Sequence, residues 1–167
     1  MFSKNIFDQL SSEHSELKVL FQKAKDSQQL ERKELIDEIE SRLVPHARAE
    51  EKTLYAALYN NVVSEGDEAT QINHAYDQHA TVNELLGDLK ETAIDDDQWM
   101  ALLQYIKDYV THHIEEEERE LFDLAKSVLD DKDLEKISEA YNEQKEIFTE
   151  TVHVVASCKS VGRSREI

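Results

Sequence analysis

Two segments of this chain repeat one pattern of apolar and ionisable residues, and that pattern restricts what the chain can fold into. His46-Ala-Arg-Ala-Glu50-Glu51-Lys-Thr-Leu54-Tyr55 and His113-Ile-Glu-Glu-Glu117-Glu118-Arg-Glu-Leu121-Phe122 both read His-x-x-x-Glu-Glu-x-x-Leu-aromatic. Residues four apart on an α-helix differ in direction by only about 40 degrees, so each histidine shares a face with its glutamate. The flanking residues decide where that face points. Ile39, Leu43, His46, Glu50, Leu54 and Ala57 step by threes and fours, and Ile106, Val110, His113, Glu117, Leu121 and Leu124 repeat the same steps. Both His-Glu pairs therefore interrupt a core-facing stripe. An ionised carboxylate there is costly unless it is paired or bound to metal, and two of them demand a compensating cation.

Apolar residues recur at threes and fours almost from end to end, with no useful strand-like alternation. Only three Gly and one Pro, at Gly66, Gly87, Gly162 and Pro45, punctuate the chain. An all-α fold follows. A first helix is expected over about residues 3–26, with Ile6, Leu10, Leu17 and Phe21 inward and the segment DSQQ ending it. A second runs over about 29–63, where Ser64, Gly66 and Asp67 supply turn chemistry, and a third over about 67–91. Asp95 and Gln98 have capping-box spacing ahead of Trp99, opening a fourth helix that runs through Leu124. Asp130 to Asp133 marks the next boundary, a fifth helix spans about 132–157, and residues 158–167 read as a flexible tail.

Short connections between long helices make antiparallel neighbours, so the first four should form an up-down-up-down four-helix bundle with an additional C-terminal helix outside it or across one end. The length suits one domain, taken as residues 1–157 with a metal-binding core at about 6–128. Pro45 conflicts locally with its helix, at a cost of about 3 kcal/mol, and a kink relieved near Ser41 is expected. That kink either orients His46 or is merely tolerated.

The remaining long helices each carry one more histidine in the core stripe. His14 follows Ile6 and Leu10, and His79 lies in line with Ile72, Val82 and Leu86. The chain thus reads as two half-units, His14 with His46 and Glu50, then His79 with His113 and Glu117, the histidine separations being 32 and 34 residues. Each inferred turn falls near the midpoint between successive ligand positions, so all six side chains can converge at one level of the bundle. Four imidazoles and two carboxylates suit two divalent first-row metals, with two His per metal and both Glu bridging, and they leave each metal an open position for a small ligand such as dioxygen, nitric oxide or peroxide. Iron suits this chemistry best, with manganese and zinc compatible with the same spacing.

These residues resemble the hemerythrin family, more specifically the HHE cation-binding domains, over about residues 6–128. The family's ligand pattern matches His14, His46, Glu50, His79, His113 and Glu117. The resemblance implies a four-helix bundle holding two Fe ions in an oxo- or hydroxo-bridged non-haem di-iron centre. It also implies roles ranging from oxygen carriage to oxygen or iron sensing and repair of damaged iron centres. The oxygen carriers place two histidines four apart on the third helix, whereas here Ala75 stands four before His79 and His74 five before. An open, reactive site is therefore expected, not an oxygen store.

Other candidates have plainer readings. Glu51 and Glu118 lie about 100 degrees off the ligand face and either support the ligands from outside or face solvent. His74 and His112 are assigned to the surface, Glu150-x-x-His153 to solvent, and Tyr55, Tyr76, Tyr109 and Phe122 to the core or its rim. Cys158 is the only cysteine, which excludes an internal disulfide or a cysteine-rich cluster and suits a reducing cytosol. A net charge of −18 disfavours nucleic acid and anionic lipid. No stretch approaches the length of an apolar membrane span, so a cytoplasmic location is expected. The functional expectation is a protein that binds, senses or reacts with small oxidants. The alternatives are a stress-response role in iron donation for cluster repair or in turnover of nitric oxide or peroxide, and a metal-stabilised regulatory module with an unknown protein partner.

Overall fold

The structure, a computed structural model, describes residues 5–162, with side chains described as far as residue 152. Its elements are α1 (Ile6–Asp26), α2 (Gln29–Glu50), a first π turn (Glu51–Tyr55), α3 (Ala56–Asn61), α4 (Asp67–Glu91), α5 (Asp97–Glu116), a second π turn (Glu117–Leu121), α6 (Phe122–Val128) and α7 (Asp131–Gly162). The π turns do not break their helices, because the backbone stays helical on both sides of each. The described chain is therefore five long helices with no strand. The connections fall at residues 27–28, 62–66, 92–96 and 129–130, where the sequence places them.

Local signals explain the ends. The Asn5 side chain accepts a hydrogen bond from the Phe7 amide and caps α1. Asp96, not the expected Asp95, caps α5 by accepting from the Gln98 amide at 2.8 Å. The capping carboxylate is thus one residue later than the box spacing suggested. Pro45 is buried inside an α2 that remains helical throughout, although a proline offers no N–H to the Ser41 carbonyl. The backbone of α7 is helical to Gly162, past the residue 157 at which the pattern placed its end. The side chains of His153 and Cys158 and the segment 163–167 lie outside the described residues.

Pairwise contacts set the topology. As α1 runs from Glu13 to Glu16, α2 runs from His46 back to Arg42. Tyr76 and His79 of α4 meet Glu51, whereas Lys90 meets Glu40, so α4 opposes α2. Phe7 packs against Phe122 with the rings tilted by 46° while His14 meets Glu118, so α1 also opposes the fourth helix. These pairs close an up-down-up-down ring. The fifth helix packs outside it along α1 and α2, and it runs parallel to α1, with Asn142 bonded to Gln9 and Lys145 to Glu13.

The apolar interior is divided in two. One cluster, around Phe21, Ile39, Leu86, Trp99 and Leu103, fills the end near residues 27–28 and 92–96. The other, around Ile6, Leu54, Leu58, Ile72, Phe122 and Tyr141, fills the opposite end. A buried polar layer of His14, His46, Glu50, His79, His113 and Glu117 lies between them. The π turns shift the inward stripe beyond this layer. Ala57 and Leu124, the expected core positions, are only partly buried, and Leu58 and Ala125, one residue further on, are fully buried. A π turn inserts about one extra residue into a helix, which accounts for the same one-residue shift in both halves.

Leu103→Ala should lower unfolding free energy by about 2–5 kcal/mol in urea titrations, because it opens a cavity in a fully buried position. Leu30→Ala, at a position 85% exposed, should change it by no more than about 0.5 kcal/mol.

Candidate metal centre

The polar layer is assembled from both half-units. His46 and Glu50 project from α2, four residues apart, with His46 Nε2 3.1 Å from Glu50 Oε1. His14 of α1 faces them, its Nε2 3.1 Å from His46 Nε2 and 3.2 Å from Glu117 Oε2. In the other half, His79 Nε2 lies 3.0 Å from His113 Nε2 and 3.5 Å from Glu50 Oε2. The two oxygens of Glu50 thus address different histidine pairs. Glu117 reaches the first pair through Oε2, and its Oε1 accepts a 2.8 Å hydrogen bond from the Tyr55 hydroxyl, whose ring stacks on His79. All six side chains expected from the sequence are buried and converge.

The outward nitrogen of every imidazole is held by a partner. His14 Nδ1 donates to Glu118 Oε1 at 2.8 Å and His79 Nδ1 to Glu51 Oε1 at 3.2 Å. Each lone histidine is therefore supported by the glutamate that follows the ligand glutamate of the opposite half-unit. His113 Nδ1 donates to Gln78 Oε1 at 2.7 Å, and the Gln78 amide nitrogen donates to Glu116, which fixes the direction of the amide. His46 Nδ1 lies 2.9 Å from Glu13 Oε2 and 2.8 Å from the Tyr141 hydroxyl, which itself donates to Glu13. With every Nδ1 proton committed outward, a neutral ring turns its Nε2 lone pair inward.

That arrangement is the test of fit for a cation. Facing Nε2 atoms 3.0 and 3.1 Å apart repel as paired lone pairs unless positive charge lies between them. Both oxygens of Glu50 and Oε2 of Glu117 are buried without a hydrogen-bond partner. His14, His46 and Glu50 each offer a ligand atom, all within 4.8 Å of one another. Nitrogen and carboxylate donors of this kind suit divalent first-row metals.

Electrostatics separate the halves. Burial raises the Glu13 carboxyl, but the hydrogen bond and charge of His46, with bonds from Lys145 and Tyr141, hold it at about 2. Burial, and then the charge of His79, push His113 down to about 4, so this ring is neutral near pH 7. Burial drives the Tyr55 and Tyr141 phenols up, reinforced by nearby carboxylates, so both hydroxyls stay protonated and donate. The halves therefore differ at two matched places. Glu13 precedes His14 where Gln78 precedes His79, and Tyr55 of the first segment stands where the second has Phe122.

The plainer assignments separate as follows. His74 and His112 are exposed, as expected, and each meets Glu116. Glu150 is exposed. Glu51 and Glu118 prove to be supports of the ligand histidines. Glu13, Gln78 and Tyr141 were missed, and so were the π turns. Glu13-His14 and Gln78-His79 carried a usable signal, a hydrogen-bonding residue before each lone histidine. Nothing in the sequence singled out Tyr141. The first π turn draws donors from side chains, Thr53 to the Ala49 carbonyl at 2.7 Å and Tyr76 to the Glu51 carbonyl at 2.9 Å.

A helical bundle with a buried cluster of histidines and glutamates is the arrangement of a cation-binding four-helix protein. Comparison with known families makes this specific: residues 5–125 match the Hemerythrin HHE cation binding domain, and the chain belongs to that family. A solved structure titled as a Hemerythrin HHE cation binding domain-containing protein from Mycobacterium kansasii is similar to it, with 25% identity, 88% of each chain covered and a TM-score of 0.76. No curated protein matches. The family match ends before α7, but coverage of 88% of the chain by the M. kansasii structure requires part of that helix to be matched too.

Tyr55→Phe should cost about 1–3 kcal/mol in the metal-free protein, read by chemical denaturation, because Glu117 Oε1 loses its buried donor while the ring packing remains.

Proposed function

We propose that this chain holds a non-haem di-iron centre and uses it to bind, sense or react with a small oxidant such as dioxygen, nitric oxide or peroxide. The observation that carries this reading is the convergence of four inward Nε2 atoms on two buried glutamates, three of whose four oxygens lack a hydrogen-bond donor. His14 and His46 would hold one ion and His79 and His113 the other, with Glu50 and Glu117 bridging. Iron so held supplies redox chemistry and an open position for a small ligand. Among first-row metals, manganese and zinc fit the same donors.

The protein's own contribution is orientation, charge and access. Glu118, Glu51, Gln78 and Glu13 lock the four rings with Nε2 inward, and the two apolar clusters keep bulk water from the layer. The protonated Tyr55 hydroxyl oxygen lies 2.8 Å from Glu117 Oε1 and 3.5 Å from His79 Nε2, where it can donate to a polar ligand near the second histidine pair. A cavity of about 220 Å³ reaches His113 and Glu117, and Ala75 on its wall leaves open the place where a second histidine four residues before His79 would stand. An open approach to that pair favours reaction over storage. It lends support to the second reading, turnover of peroxide or nitric oxide in a stress response.

Protein purified without added metal should carry two metal ions per chain by elemental analysis. Complete chelation should lower its melting temperature by several degrees, since ligand binding to the folded state alone stabilises it. An unchanged transition after demetallation contradicts the reading. Glu118→Ala should weaken metal binding about 10- to 100-fold in competition titrations, because His14 loses its outer partner. Multiple-turnover consumption of peroxide or nitric oxide would select the enzymatic reading over simple binding.

A further inference from the structure

The cavity that reaches the centre has a mouth built from potential cation ligands. Glu116 and His74 line it, with Glu116 Oε2 3.6 Å from His74 Nε2, and exposed His112 stands beside the lining with its Nε2 3.1 Å from Glu116 Oε1. The His112 and His74 side chains are 65% and 59% exposed, against 24% for Glu116, so the group grades from solvent inward. Glu120 adds a further carboxylate to the wall, and the cavity ends on His113 and Glu117. Glu117 is 1% exposed and carries an unpartnered oxygen. Solvent-facing nitrogen and oxygen donors thus share one cavity with a buried carboxylate, one oxygen of which lacks a donor.

A buried centre closed on both sides by apolar clusters needs a route by which ions arrive. The first histidine pair offers a poor one, because Tyr141, Glu13 and Lys145 of the α1 and α7 contact lie directly behind His46. We propose that the cavity between α4 and the second π turn is the loading port through which divalent cations reach the centre, with His74, His112 and Glu120 as transient ligands at its mouth. This rests on the six buried side chains being the metal's destination. A net charge of −18 adds attraction for cations at long range, and an acidic mouth with low-dielectric walls concentrates it. A strongly hydrated ion sheds water stepwise as imidazole and carboxylate donors replace it, which lowers the cost of passing from solvent to a dry layer. A neutral oxidant gains nothing from these charges.

The test is the rate at which metal-free, full-length protein takes up cobalt(II), followed by its visible absorption in stopped flow with final stoichiometry measured by elemental analysis. The triple variant His74→Ala, His112→Ala, Glu120→Gln should load about tenfold more slowly and still reach two ions per chain. Glu120→Lys alone should slow uptake, and raised salt should slow the unaltered protein more than either variant. Glu139→Gln, an exposed charge change on α7, should leave the rate unchanged. Uptake at one common rate in all of these proteins overturns the port. So does a normal cobalt rate in the triple variant accompanied by slowed reaction of the iron-loaded protein with peroxide, which assigns the cavity to the oxidant instead. If the unaltered protein never takes up two cobalt ions, the centre itself is wrong.

Discussion

Two ionisable carboxylates, Glu50 and Glu117, are buried in the middle of a helical bundle, and three of their four oxygens have no hydrogen-bond donor. An isolated charge in such a place destabilises a fold by several kcal/mol, so the surrounding structure is organised around compensating it. Four imidazoles face the pair, and four polar side chains behind them fix the rings. The two apolar clusters then bury the layer from either end. Positive charge in the layer, whether protons on imidazoles or the metal ions proposed above, is what lets the bundle close around it. Burial and the facing carboxylates act in opposition on His14, and the carboxylates win, holding its pKa above the usual imidazole range.

The two half-units are alike in plan and unlike in detail. Each supplies a lone histidine, a His-x-x-x-Glu pair, a π turn and a glutamate that supports the opposite lone histidine. Behind His46, however, stands a carboxylate held by a lysine and a phenol from the fifth helix, whereas behind His113 stands a neutral amide. Glu117 accepts from Tyr55, and the matched residue near the other pair is Phe122, which stacks on His14 without offering a proton. The first pair is therefore enclosed and held by charge. The second pair is adjacent to a proton donor and to the cavity. Such a division suits one retained ion and one that meets incoming ions or ligands.

Much of this was legible in the sequence because the informative groups sit at helical spacing. The stripe around His46 and Glu50 and its copy around His113 and Glu117 fix both the inward face and the polar layer, and the even spacing of turns brings His14 and His79 to the same level. The π turns were not legible, since a local widening of the helix leaves no pattern in side-chain type. Its effect appears only in burial, where Leu58 and Ala125 replace Ala57 and Leu124. The role of Tyr141 was equally hidden, because it depends on the fifth helix running parallel to α1. Glu51 and Glu118 were placed off the ligand face correctly, but their function depends on which neighbouring helix they meet.

The central claim is that the polar layer is a two-ion site with one histidine pair for each ion and both glutamates shared. Anomalous diffraction from crystals of the protein, collected above and below the absorption edge of its native metal, tests this directly. The account predicts two peaks inside the bundle, one beside His14 and His46 and one beside His79 and His113, with Glu50 and Glu117 reaching both. A single peak, or peaks confined to surface groups such as His74 and His112, would contradict it.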